Sequence, residues 1–423
     1  MNPTLIESHA KLVLLQWMII IAAAWLFGRL GKKVGQPLAV GEILAGIVLG
    51  PSVLGLFWPA DWPVLFPPGT QQSLQLLGKI GLILLLFQVG MEFDYGHLRS
   101  RSKTVTAVSL TGILFPVLGG LAIGPWLHRN FAPDLPQGGF QLFLCITLSI
   151  SALPIMGRIL LEMKLERTAI GAMSISAAAI DDVVGWILLA VASALATSGF
   201  DGWALVRQIV GLTVFFILLR KLVAPLLRRA WRKSMERNPS GNLSPSYLTL
   251  LLIVLFGCCL ITNLLGVFAI FGAFLLGVAL HEQRDLVQAW RERFSDFVVV
   301  ALVPIFFANT GLNTEIGALK TPLAWAGCAV VMLAAVSGKL GGCFLGARLT
   351  GQPWRESACI AALMNTRALM ALVAINIGLD LGLLNREMFT MLVIMALLTT
   401  AMTGPLLRLF LPKELRVTPP PGK

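Results

Sequence analysis

The chain is 423 residues long, 57% hydrophobic and only 13% charged, with a mean hydropathy of +0.82. A water-soluble domain carries roughly 25% charged residues, so about half that share over this length excludes a globular soluble protein and implies a chain that crosses a membrane many times. The formal net charge of +12 does not point to nucleic acid, because the Lys and Arg residues fall in short loops between apolar runs, where they set topology.

About thirteen apolar segments follow one another, over 11–30, 38–57, 72–93, 104–127, 140–162, 169–198, 203–227, 246–264, 266–281, 293–312, 321–347, 357–379 and 387–411. Most reach the roughly 20 residues a spanning helix needs; the ninth is short. The expectation is an all-α polytopic membrane protein forming one transmembrane domain over 1–423. Residues 1–10 are too polar for a cleaved signal peptide. The six cysteines all lie in apolar segments without metal-ligand spacing, which argues against a disulfide framework or a zinc site.

The loops alternate in charge. The first carries Arg29, Lys32 and Lys33, and the second only Asp61. The third carries Arg99, Arg101 and Lys103; the fourth sets Arg129 against Asp134. The fifth has Arg158, Lys164 and Arg167, and the sixth only Asp201. The seventh is the most basic, from Arg220 and Lys221 through Arg228, Arg229, Arg232 and Lys233 to Arg237. The pattern continues to Lys413 and Arg416. Basic odd-numbered loops put the N-terminus outside and the C-terminus in the cytoplasm. Residues 412–423 read as a short cytoplasmic tail, and the expectation is that no regulatory domain follows the last segment.

A weak internal repeat crosses the chain. Gly41 to Gly46 in segment two matches Gly272 to Gly277 in segment nine, and Gly90 before Asp94 matches Gly311 before Glu315. An offset of an odd number of segments inverts the second copy, an architecture common in secondary transporters. The repeat pairs segment five with segment twelve. Segment five carries Thr147, Ser149, Ser151 and Pro154, and segment twelve carries Asn365, Thr366 and Arg367 after Met364. Both look like broken helices, near 140–162 and 357–379. Unwound backbone at mid-depth is tolerated only inside protein or beside a water-filled cavity, and paired breaks point to a transport site.

Asp181 and Asp182 sit in 174–186, SISAAAIDDVVGW, about a dozen residues or about 18 Å from the nearer end of their segment. Charge at that depth is costly and usually functional. Neighbours on a helix point about 100° apart, so the two cannot share one ligand symmetrically. Burial and a nearby cation push a carboxylate in opposite directions; a group balanced between them can exchange a proton for a metal cation. Lys339 lies within 321–347 and either snorkels or pairs with a carboxylate, for which Asp181 is the candidate. Lys79, nearer a segment end, reads as snorkelling. Arg367 either neutralises carbonyl ends or pairs with an acid such as Glu92 or Glu42. Thr147, Ser149 and Ser151 offer hydroxyl and backbone oxygens to a hard cation, or bond back to their own helix.

These residues resemble a monovalent cation:proton antiporter, of the group containing bacterial Na+/H+ antiporters, glutathione-gated K+ efflux systems and plant and fungal cation/H+ exchangers. The likeness runs through GQPLAVGEILAGIVLGPSVLG (35–55), GLILLLFQVGMEFD (81–94), 149–171, SAAAIDDVVGWILLA (176–190), VPIFFANTGLNTEI (303–316) and 364–400. It implies crossed broken helices in a core moving against a dimerisation region, hence a homodimer in the inner or plasma membrane, with no cofactor beyond the transported ions and no enzymatic activity. It also implies that Asp182 binds Na+ or K+ and the proton, that Lys339 pairs with Asp181, and that Ser151 stands where the plant pattern has Thr. A second Asp with Lys implies more than one proton per cation, an electrogenic cycle. Ala368, Ala371 and Asn313 depart from the family pattern, where Gly, an acid and Lys are usual. Three rivals remain: a Na+-coupled solute symporter of similar fold, which needs a cavity for an organic substrate; a channel; and an intramembrane aspartyl protease, which adjacent carboxylates on one helix argue against.

Overall fold

The computed structural model describes residues 3–36, 38–92, 102–163, 165, 168–198, 202–237, 243–266 and 269–412. Among these there are helices and turns but no strand. In chain order, α1 (Pro3–Lys33) and α2 (Leu38–Leu49) are followed by the short α3 (Leu54–Phe57) and α4 (Trp62–Leu65), then α5 (Pro68–Glu92) and α6 (Ser102–Phe131). Next come α7 (Gln137–Ser149), α8 (Leu153–Glu162), α9 (Ala169–Ser198) and α10 (Gly202–Leu218), which runs through a π-helical turn at Leu219–Val223 into α11 (Ala224–Arg237). α12 (Pro245–Leu264), α13 (Ala269–Leu280) and α14 (Arg284–Trp290) lead through two further π-helical turns to α15 (Val303–Leu312). The chain ends with α16 (Pro322–Leu349), α17 (Trp354–Met364), α18 (Ala368–Asp380) and α19 (Arg386–Phe410).

Three helix starts show why these residues begin where they do. Ser244, Thr321 and Asn385 each accept from the backbone N–H three residues on, at 3.4, 3.1 and 2.9 Å. Pro245 and Pro322 then occupy the first helical position, where no N–H is needed.

Among the described residues nine helices are long and apolar enough to span, or ten when the pair Arg284–Ser295 and Val298–Leu312, bent by 44°, counts as one. The predicted segments outside that set are the two broken ones and 266–281, whose helix α13 has only 12 residues. The basic stretch 228–237, read as loop, is instead helical to Arg237. The whole of α11 is amphipathic, burying Ala224, Leu227 and Trp231 while Arg229, Arg232 and Lys233 stay exposed. Lys79 is exposed. Asp94, Arg99, Arg101, Lys164, Arg167, Asp201 and the tail from 413, together with the side chains of Arg158 and Glu92, lie outside the described residues.

The chain divides into two compact units. The first comprises Met1–Ala24, Leu54–Asp94 and Ser193–Gly311. Its centre is the seam between α5 and α13: a Cβ on Gly90 would overlap the Phe274 carbonyl, and one on Gly277 the Phe87 carbonyl. Only glycine lets the two backbones touch there. Phe87 packs edge-on against the buried Trp290 at 4.9 Å. The buried Gln16 amide donates to the Leu65 carbonyl and to Thr70 Oγ1, at 2.5 and 2.7 Å.

The second unit comprises Trp25–Val53, Tyr95–Ala192 and Leu312–Lys423. Its core is the pair α6 and α16. Small residues recur every four positions on α16, at Gly338, Gly342 and Gly346, and face Pro116, Thr111 and Ala107 of α6. α7, α17 and α19 pack around this pair.

Candidate functional site

The site grows from two interrupted helices of the second unit. α7 and α8 have 13 and 10 residues, about 20 and 15 Å at helical rise, so neither alone crosses a hydrocarbon core of about 30 Å. Between them Ile150 is extended (φ −67°, ψ 137°). Pro154 is the second residue of α8, in the first turn, where its missing N–H leaves no gap; the break lies upstream of it, at 150–152. The second interruption covers 365–367, between α17 and α18.

The two breaks cross and satisfy each other. The Ala152 N–H donates to the Thr366 carbonyl at 2.7 Å, and Ser151 Oγ lies 3.0 Å from the Met364 carbonyl. α19 supports the second break: Thr403 Oγ1 is 3.0 Å from Thr366 Oγ1, and the Arg367 N–H donates to Thr400 Oγ1 at 3.4 Å. Broken backbone survives inside a membrane protein only with such partners.

Asp181 and Asp182 are both buried on α9 beside this crossing. Asp181 is saturated. Its Oδ1 accepts from Ser109 Oγ at 2.6 Å, and its Oδ2 accepts from Lys339 Nζ at 2.6 Å and lies 2.9 Å from Ser151 Oγ. Ser151 has one proton, which serves Asp181 or the Met364 carbonyl. The Lys339 ammonium is equally complete: its other donors reach the Gly112 and Ser149 carbonyls at 3.0 and 2.5 Å. A fully buried ion pair is tolerable only when every donor and acceptor is matched in this way.

Asp182 differs. It meets the backbone N–H of Leu153, the first residue of α8, but its Oδ1 is buried with no hydrogen-bond partner. An ionised or neutral carboxyl oxygen left unmatched in a buried place is unusual. Asn365 Oδ1 and Arg367 Nε are also buried without a partner, but Asp182 Oδ1 is the carboxylate oxygen among them, and it suits a proton or a hard cation.

The remaining expected residues divide by atom. The hydroxyls of Thr147 and Ser149 bond back to the Phe143 and Ile146 carbonyls at 2.9 Å each. Their carbonyls face outward, Ser149 to Lys339 and Thr147 to Arg367 Nη1 at 3.4 Å. Arg367 is fully buried and donates to the Leu148 carbonyl and, at 2.6 Å, to the Ala335 carbonyl. Of its two expected kinds of partner, the carbonyl ends are the ones observed. Asn365 places its amide nitrogen 3.5 Å from the Thr399 carbonyl.

Sequence reasoning missed Ser109 and the carbonyls of Gly112, Ala335 and Met364. A signal existed on α6: Ser109, Gly112, Pro116, Gly120 and Gly124 recur every three or four residues and are all buried. That stripe marks a helix in close contact, though not the partner it touches.

Residues 18–413 match the family described as "Sodium/hydrogen exchanger, transmembrane". The Na(+)/H(+) antiporter NhaS4 of Synechocystis sp. is 37% identical over 403 residues, covering 93% of this chain and 96% of that protein. Cation/H(+) antiporter 19 of Arabidopsis thaliana is 33% identical over 408 residues, covering 96% of this chain and 50% of that protein, so the chain spans about half of that relative's length. The solved structure of the sodium proton antiporter MjNhaP1 from Methanocaldococcus jannaschii superposes with a TM-score of 0.65 at 15% identity, covering 96% of this chain and 99% of that one, a likeness of fold. With crossed broken helices, a paired and an open carboxylate at their crossing, and a family match over nearly its whole length, the chain belongs to the sodium/hydrogen exchanger family.

Proposed function

We propose that the protein is a secondary transporter exchanging a monovalent cation, Na+ or K+, for protons by alternating access, with Asp182 holding cation and proton in turn. The observation that carries this reading is the inequality of two adjacent buried carboxylates: Asp181 is saturated, and Asp182 Oδ1 has no partner. A single open carboxylate holds either a proton or a cation, and that exclusion couples the two fluxes. The names of the similar proteins, sodium/proton and cation/proton antiporters, support the same assignment.

In this reading Asp181 and Lys339 form a charge pair that opens when the cation binds and releases a further proton, making the cycle electrogenic. Because the three groups are coupled, their protons belong to the set. Ser151 and the carbonyls of the crossed breaks complete the ion's surroundings. The crossed pair of breaks supports an inverted repeat, and the loop charges support a cell-membrane protein with an external N-terminus. A homodimer is part of the same proposal.

Proteoliposomes challenged with Na+, K+ and Li+, with internal pH monitored, test it. Wild-type protein is expected to move protons in answer to at least one cation, and Asp182→Asn to abolish that response while folding normally. Exchange at the wild-type rate by Asp182→Asn would remove Asp182 from the site; no cation-dependent proton movement by the wild type would remove the function.

A further inference from the structure

Pro116 sits inside α6, where a proline has no N–H to give to the carbonyl four residues earlier. That carbonyl belongs to Gly112, and it accepts from Lys339 Nζ at 3.0 Å. The same point is where α16 presses on α6: a Cβ on Gly338 would lie 2.9 Å from Pro116 Cα. Gly338 admits the α6 backbone, and its neighbour Lys339 is thereby delivered to the carbonyl that the proline has left open. α19 repeats the device. Pro405 lies inside that helix, and the Ala401 carbonyl four residues before it lies 3.4 Å from Gln36 Nε2.

We propose that Pro116 is a positioning residue for the transport cycle: it reserves the Gly112 carbonyl for Lys339, so that the lysine nitrogen, charged or as the amine left after proton release, stays anchored when Asp181 lets it go. The inference rests on the proposed exchange function. Lys339 has three donors, of which Asp181 takes one. The Gly112 and Ser149 carbonyls hold the other two and are uncharged, so they keep their hold whatever the charge on Asp181. An alanine at 116 would restore a helical N–H, which draws the Gly112 carbonyl along the axis of α6 and away from the ammonium. Among the described residues, the charged or titratable groups around Lys339 are Asp181 and Asp182 from α9, Cys343 from α16 and Arg367 at the head of α18. From α6 and α7 its hydrogen-bond partners are the Gly112 and Ser149 carbonyls.

The test compares the pH profile of cation-driven proton flux in proteoliposomes of wild type, Pro116→Ala and Pro125→Ala. Pro125 is the other proline inside α6 and controls for straightening the helix. Weakening one hydrogen bond to a charged donor is expected to move the Pro116→Ala profile by ~1 pH unit towards acid, with Pro125→Ala unmoved. A Pro116→Ala profile coincident with wild type overturns the inference while the wild-type flux still stands for the function. Absence of wild-type flux overturns both. Should Pro116→Ala fail to fold, the α-hydroxy analogue of isoleucine at position 113 converts the Gly112 carbonyl to a weaker ester acceptor with Pro116 in place. An unmoved profile there overturns the inference equally.

Discussion

Lys339 offers three N–H donors to three oxygens and keeps none for water. Removing one partner of a buried pair leaves the other charge unmatched, at a cost of about 3–5 kcal/mol. Lys339→Ala is therefore expected to lower thermal stability, and Lys339→Ala with Asp181→Asn to recover part of the loss; equal losses in the single and double variants would mean the pair is not coupled. In proteoliposomes with the membrane potential monitored, the wild type is expected to generate current and Lys339→Ala to reduce or lose it; electroneutral wild-type exchange would contradict the role given to the pair. That Lys339 pairs with a carboxylate of α9 is legible in the amino-acid sequence, because a lysine deep in an apolar segment has few other partners; which of the adjacent Asp181 and Asp182 it takes depends on which way each side chain points and is seen only in the structure. Ser109 is not legible, since a serine that reaches across to another helix reads the same as one bonded to its own. Thr147 and Ser149 show the converse. Their hydroxyls are the conspicuous groups in the sequence, but the backbone oxygens face the site. Ala371, where the resemblance implies an acid, is buried one helical turn after Arg367.

At the scale of elements, the close approach of α6 and α16 sets where Lys339 sits. A Cβ on Gly342 would overlap the Thr111 carbonyl, whereas Gly341 next to it faces open space. Gly342→Ala is expected to destabilise by ~1–3 kcal/mol, seen as a lower Tm, and Gly341→Ala to leave Tm unchanged or slightly raised; equal effects would deny that the seam is tightly packed. The two breaks are legible because polar residues interrupt otherwise apolar runs, and Pro154 marks the start of the helix after the first break rather than the break itself. Their crossing is carried by the resemblance rather than by periodicity, because an Ala152–Thr366 hydrogen bond joins residues far apart in the chain. The helical α11 is hidden for a different reason: its charges look like a loop until Leu227 and Trp231 are seen to share a buried face. The bend of 44° in segment ten has no proline at the break itself, and its π-helical turns have no composition of their own.

At the scale of the whole molecule, the alternating loop charges predict an orientation that labelling tests. All six cysteines are buried, so the native background towards a membrane-impermeant maleimide is expected to be low. Asp61→Cys is expected to react from outside the cell and Lys233→Cys only after the membrane is opened, both positions being exposed; the reverse pattern would invert the orientation. Among the described residues, the ionisable side chains Asp181, Asp182, Lys339 and Arg367 at the crossing have a further consequence. Fully ionised they sum to zero charge, in a place with little dielectric to forgive an excess. Any first positive guest, proton or metal ion, makes that region cationic and opposes a second one even where the two would not touch. Proton and metal would then be antagonists by electroneutrality as well as by contact, so the stoichiometry of exchange is governed by the charge inventory of the region and not by the number of ligands around the ion.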